Sequence, residues 1–132
     1  MPALARKDLL YPELSYRIMG VLFAVFNELG PGHKEKYYEH AVAEGFTNRG
    51  ILFERQLYAP LFFEGKVVGK YFFDFLIDGK VILELKKGNM YSSHKHINQV
   101  LSYLKAHTLA LGIIAQFADD GVKYKRIVNI AQ

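Results

Sequence analysis

The sequence predicts an α/β domain in which helices flank a central mixed β-sheet, with the elements in the order ααβββαββ. Apolar residues recur at helical spacing in two N-terminal segments, residues 14–29 and 34–48. Between residues 53 and 87 the pattern changes to β-branched and aromatic runs separated by glycine-containing turns. A further helical segment, residues 92–107, precedes two more strand-like segments, and such a mixture of elements is typical of an α/β domain.

The first predicted helix, residues 14–29, is apolar on nearly all sides. Such a helix is either sandwiched within the domain or covered by a second subunit. The segment Gly30-Pro31-Gly32 ends it. Its two apolar faces comprise Leu14, Ile18, Val21, Leu22, Val25 and Leu29 on one side and Tyr16, Met19, Phe23 and Phe26 on the other.

The second predicted helix, residues 34–48, carries a carboxylate on its apolar stripe. Glu35 shares this stripe with Tyr38, Val42 and Phe46 and is therefore expected to face inward. A buried carboxylate needs a partner, a raised pKa or a metal. The alternative is a solvated acid in the first turn, where acidic residues are favoured.

Three strands are expected at residues 53–63, 67–77 and 81–86, joined by turns at residues 64–66 and 78–80. A third helix begins at a Ser92 or Ser93 cap and reaches His107. Residues 109–117 are almost wholly apolar and are expected at the centre of the sheet, whereas the alternating residues 122–130 are expected at an edge.

Length and composition restrict the class of protein. The 132 residues fit one domain, residues 1–132, with residues 1–12 as an N-terminal extension. The net charge of +4 suits a polyanionic partner, although it also serves solubility alone. The absence of cysteine excludes disulfides and thiolate chemistry. With neither a signal-peptide pattern nor a long apolar run, we expect a soluble cytoplasmic protein with no membrane partner.

Two acids and a lysine stand out on adjacent predicted strands. Asp74 lies within an aromatic strand, and Glu84 and Lys86 share one face of the next strand. Two carboxylates from neighbouring strands form an oxygen-lined site suited to Mg²⁺ or Mn²⁺, and such an ion promotes phosphodiester hydrolysis. A salt bridge between Glu84 and Lys86 on a solvated strand is the simpler alternative.

The connection between these strands decides whether the acids meet. A two-residue turn at residues 78–79 would pair Phe73 with Glu84 and leave Asp74 on the opposite face. We therefore predict a three-residue loop at residues 78–80 or a β-bulge.

The third predicted helix adds a polar stripe formed by His96, Gln99 and Tyr103. Gln99 and Tyr103 could reach a phosphate or a catalytic lysine, or the stripe could be an ordinary solvent-exposed face. The five histidines are scattered in a way that does not predict a histidine metal site.

Several short motifs together resemble a known family. Gly32-His33-Lys34-Glu35-Lys36-Tyr37-Tyr38 matches the motif that names the GxxExxY protein family, placed in the PD-(D/E)XK nuclease superfamily with its restriction-endonuclease-like fold. The resemblance covers residues 14–129. It includes Glu84-Leu85-Lys86 at the Glu-x-Lys position and a Gln-x-x-x-Tyr helix similar to that of RecB-like nucleases at residues 99–103. One position departs, because Phe73 stands where the superfamily name has proline.

The resemblance implies a role for each candidate residue but brings no substrate, so nuclease activity is inferred from the site. The implied metal ligands are Asp74, Glu84 and the carbonyl of Leu85, and the implied catalytic residues are Lys86, Glu35, Gln99 and Tyr103. The leading hypothesis is a Mg²⁺- or Mn²⁺-dependent nuclease that hydrolyses DNA, rather than RNA, through a metal-activated water.

Two other classes of function remain open. One is a catalytically silent nuclease-fold protein that binds nucleic acid or a protein partner. Its interface would be the first helix and exposed aromatics near Tyr37, Tyr38 and Tyr91, and a homodimer would be one such assembly. The other is a structural protein whose acids form salt bridges with Lys86 and Lys87.

Overall fold

The structure is a computed structural model that describes residues 10–87 and 94–130. In that part of the chain the elements follow the predicted order ααβββαββ. The helices are α1 (Pro12–Leu29), α2 (Glu35–Asn48) and α3 (His94–Ala106). The strands are β1 (Phe53–Phe63), β2 (Lys66–Ile77), β3 (Val81–Lys87), β4 (Leu111–Ala118) and β5 (Gly121–Val128). The predicted α/β class is confirmed.

The five strands form one mixed sheet in the order β1-β2-β3-β4-β5. Neighbouring strands are antiparallel except for β3 and β4, which run parallel because α3 connects them as a crossover. Strand β4 is buried along its whole length and β5 forms an edge, as the apolar and alternating patterns predicted. This topology places the carboxyl end of β3 beside the amino end of α3.

The sheet separates two apolar cores. Helices α1 and α2 pack on one face, where Phe75, Leu83 and Leu85 of the sheet are buried against them. Helix α3 packs on the other face, against Phe73 and Ile82. Helix α1 is therefore covered on one side only: its main stripe is buried, while Tyr16 and Phe23 on the second face are exposed.

The turn between α1 and α2 is fastened by Tyr38. Gly30 and Gly32 both have positive φ, at 72° and 92°, a region that glycine occupies at little cost. The Tyr38 hydroxyl donates to the carbonyl of Gly30 at 2.7 Å and accepts the backbone N–H of His33 at 3.2 Å. Its ring stacks on Phe117 at 4.2 Å between centroids. Tyr38 is fully buried, which confirms its place on the inward stripe, whereas the expectation that it is an exposed interface aromatic is wrong; Tyr37 is exposed.

The β1–β2 hairpin is the longest feature of the sheet and is rich in exposed apolar side chains. These side chains are Tyr58, Leu61, Phe62, Phe63, Val67, Val68 and Phe72.

Some predictions fall on residues outside the described part of the chain. They concern the helix caps Ser92 and Ser93, the aromatic residue Tyr91 and most of the N-terminal extension. Of the helices that are described, none is both long and apolar enough to cross a membrane.

Candidate active site

The connection between β2 and β3 brings Asp74 and Glu84 together. Ile77 pairs with Val81 and Phe75 with Leu83, so the loop between the strands has three residues. Asp78 and Gly79 in this loop adopt φ values of 53° and 66°, and the Lys80 N–H donates to the Ile77 carbonyl at 2.9 Å. Continuing the register by one pair sets Asp74 opposite Glu84. The predicted three-residue loop is confirmed.

Beyond the Phe75–Leu83 pair, acidic side chains take over the hydrogen bonding between the two strands. The Asp74 N–H donates to Glu84 Oε1 at 2.8 Å, and the Leu85 N–H donates to Asp74 Oδ2 at 2.7 Å. Each acid thus accepts a backbone donor from the opposite strand. This crossed pair fixes both carboxylates in the sheet, where a strand would otherwise continue its regular ladder.

Both carboxylates are held where negative charge is costly. Burial raises the pKa of Asp74 from 3.8 to about 6, although the hydrogen bond from Leu85 opposes this effect. Burial, and then repulsion by Asp74, raises the pKa of Glu84 from 4.5 to about 8. Two ionised acids side by side in a low dielectric repel each other, so the pair favours either a shared proton or a bound cation.

Lys86 is the basic member of the site. Its Nζ lies 3.8 Å from Glu84 Oε2, on the same face of β3. At this distance the pair is a long ion pair, and one ammonium cannot neutralise two carboxylates. A salt bridge to Lys86 therefore accounts for only part of the buried negative charge. The side chain of Lys87, which the structural hypothesis also needed, lies outside the described part of the chain.

The donor set fits a small hard cation. One oxygen of each carboxylate accepts a backbone N–H, and the second oxygen of each adds a ligand that Mg²⁺ and Mn²⁺ prefer. No group of three or more His, Asp or Glu side chains that could hold an ion occurs among the described residues. Mg²⁺ commonly binds through one or two carboxylates, keeping waters and substrate phosphates as further ligands, so two acids suffice.

Glu35 is the one proposed site residue whose predicted placement is wrong. It is the first residue of α2 and is exposed, not turned into the core. The acid-favouring first turn of the helix explains its position better than an inward stripe does. Burial, and then the charges of Lys86 and Lys95, lower the pKa of His96, and the negative charge of Glu35 opposes this effect. Glu35 therefore lies in the electrostatic surroundings of His96, near the carboxyl end of β3.

Gln99 and Tyr103 lie on α3, over the face of the sheet opposite α1 and α2. Gln99 is half-buried there. The Tyr103 ring packs edge-on against Phe73 at 5.3 Å between centroids and stacks on His107 at 4.0 Å. Burial raises the pKa of Tyr103. Because Phe73 precedes Asp74, this packing supports the strand that carries the acid.

Four polar residues near the site were not among the predicted ones. Glu39 on α2 bonds Arg55 and Gln56 on β1, and its negative charge raises the pKa of Asp74. Gln116 lies in the buried strand β4, beside Lys86 in the parallel register, with only 3% of its surface exposed. The sequence could have indicated Gln116, because a single glutamine within an otherwise apolar strand is unusual. It could also have indicated Glu39, which lies one helical turn after Glu35 on the same helix.

The fold, with its acid pair and neighbouring lysine, has the arrangement expected of a nuclease-type phosphodiesterase site. A family model described as the PD-(D/E)XK nuclease superfamily matches residues 12–127, and the chain belongs to this superfamily. No curated protein matches the chain. The solved structure of SSO0001 is similar at 14% identity and a TM-score of 0.47, covering 91% of this chain and 79% of that one.

Proposed function

We propose that the protein is a divalent-metal-dependent nuclease that hydrolyses phosphodiester bonds of DNA. The observation that carries the proposal is the crossed pair of Asp74 and Glu84, two half-buried carboxylates with a single ammonium, that of Lys86, paired to them. Membership of a nuclease superfamily supports the reaction class. The choice of Mg²⁺ or Mn²⁺ follows from the all-oxygen donor set.

Each residue of the site has a defined part in this proposal. Asp74, Glu84 and the Leu85 carbonyl would hold the cation. When bound, that cation would polarise the phosphate and lower the pKa of the attacking water. The Lys86 ammonium would stabilise negative charge that develops on the phosphate oxygens. The backbone N–H groups of Asp74 and Leu85 keep the two carboxylates oriented throughout.

A cleavage assay with matched substitutions tests this function. Asp74→Asn and Glu84→Gln preserve side-chain shape and remove charge, so both should abolish cleavage of DNA in Mg²⁺ or Mn²⁺. Asp78→Asn is the control, since it changes the same residue type four positions away, in the exposed turn, at a left-handed φ that asparagine tolerates. Wild-type protein that cleaves neither single- nor double-stranded DNA, or variants that cleave like wild type, would refute the proposal.

The same assay decides between an enzyme and a silent binding protein. A silent protein would bind DNA in a salt-sensitive way, and binding would survive Asp74→Asn and Glu84→Gln without any cleavage by wild type. The assay also includes RNA substrates, and the proposal predicts that DNA is cleaved faster than RNA. We also propose that the chain is a member of the GxxExxY group. The proposal includes roles at the site for Glu35, Gln99 and Tyr103.

A homodimer through the β1–β2 hairpin is a further part of the proposal. The seven exposed apolar side chains of the hairpin each leave about half of their surface in water, on the order of 100 Å² apiece. Because consecutive strand residues point to opposite faces, one face of the hairpin presents about half of them, and two copies paired through that face would bury about 700 Å², the size of a weak contact.

Light scattering after size exclusion tests this assembly. The pair of substitutions Phe62→Ser and Phe63→Ser should convert a dimer to a monomer. Tyr16→Ser, at an exposed aromatic on α1, should leave the mass unchanged. A monomeric wild type would contradict the hairpin dimer.

A further inference from the structure

We propose that Lys123 and Lys125 of β5 form a lysine track, which binds the phosphate backbone of a nucleic-acid strand beside the acid pair. This inference rests on the proposed function in one respect, because it takes the acid pair as the place where that strand is cleaved. The track itself is a binding surface and takes no part in the cleavage step.

Both lysines of the track lie on the α3 face of the sheet. Side chains along a strand alternate between its two faces. In β5, Ile127 is buried against α3, whereas Val122 and Val128 pack against the core beneath α1 and α2. Lys123 and Lys125 alternate in step with Ile127, so they share its face.

The strand register sets the lysine track level with the site residues of β3. Glu84 and Lys86 alternate in step with Ile82, which also packs on the α3 face. Across β4, Lys123 is level with Lys86, and in the same way Lys125 is level with Glu84. Two strand spacings of about 4.8 Å each separate the track from the site by about 10 Å. The phosphates of one strand of a duplex are spaced by about 3.4 Å along the axis, so this gap spans about three nucleotides.

Charge is divided unevenly between the two faces of the domain. Neither α3 nor β5, both fully described, contains an acidic residue. The opposite face is acidic: α1 and α2 carry only two basic residues, Arg17 and Lys36, against the glutamates Glu13, Glu28, Glu35, Glu39 and Glu44. The Arg126 guanidinium of β5 is directed to α1, where it donates to Ser15 Oγ and to the Leu10 carbonyl. The positive surface on the α3 face therefore complements a polyanion, and it adjoins the acid pair.

The present partner of Lys123 is one that a phosphate can replace. Lys123 Nζ lies 3.5 Å from Asp120, whose side chain is 74% exposed. An exposed ion pair of this kind contributes little to stability. Lys125 is exposed as well. Lysines on an edge strand also prevent sheets from pairing edge to edge, a purpose that needs no polyanion and that the test must separate from binding.

Fluorescence anisotropy of labelled single- and double-stranded DNA in a metal chelator tests the track without cleavage. The slope of log affinity against log salt concentration measures the number of neutralised phosphates, at about 0.7 to 0.9 per contact. The double substitution Lys123→Gln, Lys125→Gln should flatten this slope by about 1.5 to 2 and weaken binding at least about tenfold in 0.1 M salt. Asp120→Asn should tighten binding, because it removes the competing anion.

Lys80→Gln is the matched control. Lys80 makes a similar exposed ion pair, at 3.6 Å from Asp78. Its ammonium lies over the ring of Tyr11, which packs against the core beneath α1 and α2. The control thus removes the same charge from the other side of the sheet. Compared with Lys123→Gln and Lys125→Gln as single variants, it should leave the salt slope and the affinity at their wild-type values.

The outcomes separate the lysine track from the proposed function. If the lysines only protect the sheet edge, the double variant binds DNA like Lys80→Gln, and the track is refuted even if the wild type cleaves DNA. If DNA binding depends on the lysines but no cleavage occurs in Mg²⁺ or Mn²⁺, the proposed function fails and the track stands.

Two further results would refute the track. One is a wild type that does not bind DNA. The other is lysine-dependent binding of polyglutamate without binding of DNA, which would assign the surface to an acidic protein. Urea unfolding checks that each variant is folded. Should the double variant not fold, Asp120→Asn carries the test, and unchanged DNA affinity in that variant refutes the track.

Discussion

Without metal, the protein should become less stable as the pH rises from about 4 to about 8, and the double substitution Asp74→Asn, Glu84→Gln should remove most of this loss. Burial raises the pKa of both acids in the folded protein. Over this range the folded state therefore retains protons that the unfolded chain has released. Stability is fully present below the unfolded pKa values and is lost as the pH rises through the folded ones.

The structure gives the size of this effect. The pKa of Asp74 rises from 3.8 to about 6, and one pKa unit corresponds to about 1.4 kcal/mol. Asp74 alone thus accounts for about 3 kcal/mol, and Glu84 acts in the same direction. For a domain of this length, 1 kcal/mol shifts the midpoint of thermal unfolding by about 4 °C. Relative to the double variant, the wild type should therefore lose about 12 °C from Asp74 alone, and more with Glu84, as the pH rises to about 8.

Thermal unfolding followed by circular dichroism in a metal chelator provides the assay. Both proteins carry the other titrating groups, so the difference between their midpoints isolates the acid pair. At the alkaline end, Mn²⁺ at a hundredfold excess over its dissociation constant should raise the free energy of unfolding of the wild type by about 3 kcal/mol. The same Mn²⁺ concentration should leave the stability of the double variant unchanged. A midpoint difference that does not change with pH would refute the account of the buried pair.

Four other substitutions have defined outcomes. Lys86→Met should reduce DNA cleavage by about 10²-fold or more, with Mn²⁺ affinity in calorimetry equal to or higher than that of wild type, since a positive charge is removed. Tyr38→Phe should lower the free energy of unfolding in urea by about 1 kcal/mol, because a buried hydroxyl bond is lost; an unchanged midpoint would contradict that. Gly112→Ala should destabilise by about 1–3 kcal/mol, because the new Cβ would lie 2.6 Å from Val100 Cγ1. Gly20→Ala, with open space around it in a helix, should instead stabilise, and the reverse order would contradict the packing described.

The order of the elements could be predicted because hydrophobic periodicity is a local property. Helical spacing, strand alternation and glycine turns each depend on neighbouring residues, and together they gave ααβββαββ. The convergence of Asp74 and Glu84 was also predictable, because face alternation along two strands leaves few possible connections. Only a three-residue loop or a bulge could bring the acids together, and the structure contains the three-residue loop.

The environment of the site could not be predicted in the same way. Whether Glu35 or Glu39 faces the acid pair depends on the rotation of α2 against the sheet, which a stripe of apolar residues specifies only loosely. Gln56 adopts a left-handed φ of 51° within β1, and no residue type favoured in that conformation signals it in the sequence. The apolar stripe predicted that Tyr38 faces inward, but its stacking on Phe117 could not be predicted, because Phe117 comes from a distant part of the chain.

A crystal structure with Mn²⁺, located by its anomalous scattering, would test the central claim most directly. We predict one ion at the acid pair, contacted by an oxygen of Asp74, an oxygen of Glu84 and the carbonyl of Leu85. The same experiment on Asp74→Asn should show no ion there. An acid pair without an ion in wild-type crystals soaked to saturation with Mn²⁺ would contradict the account.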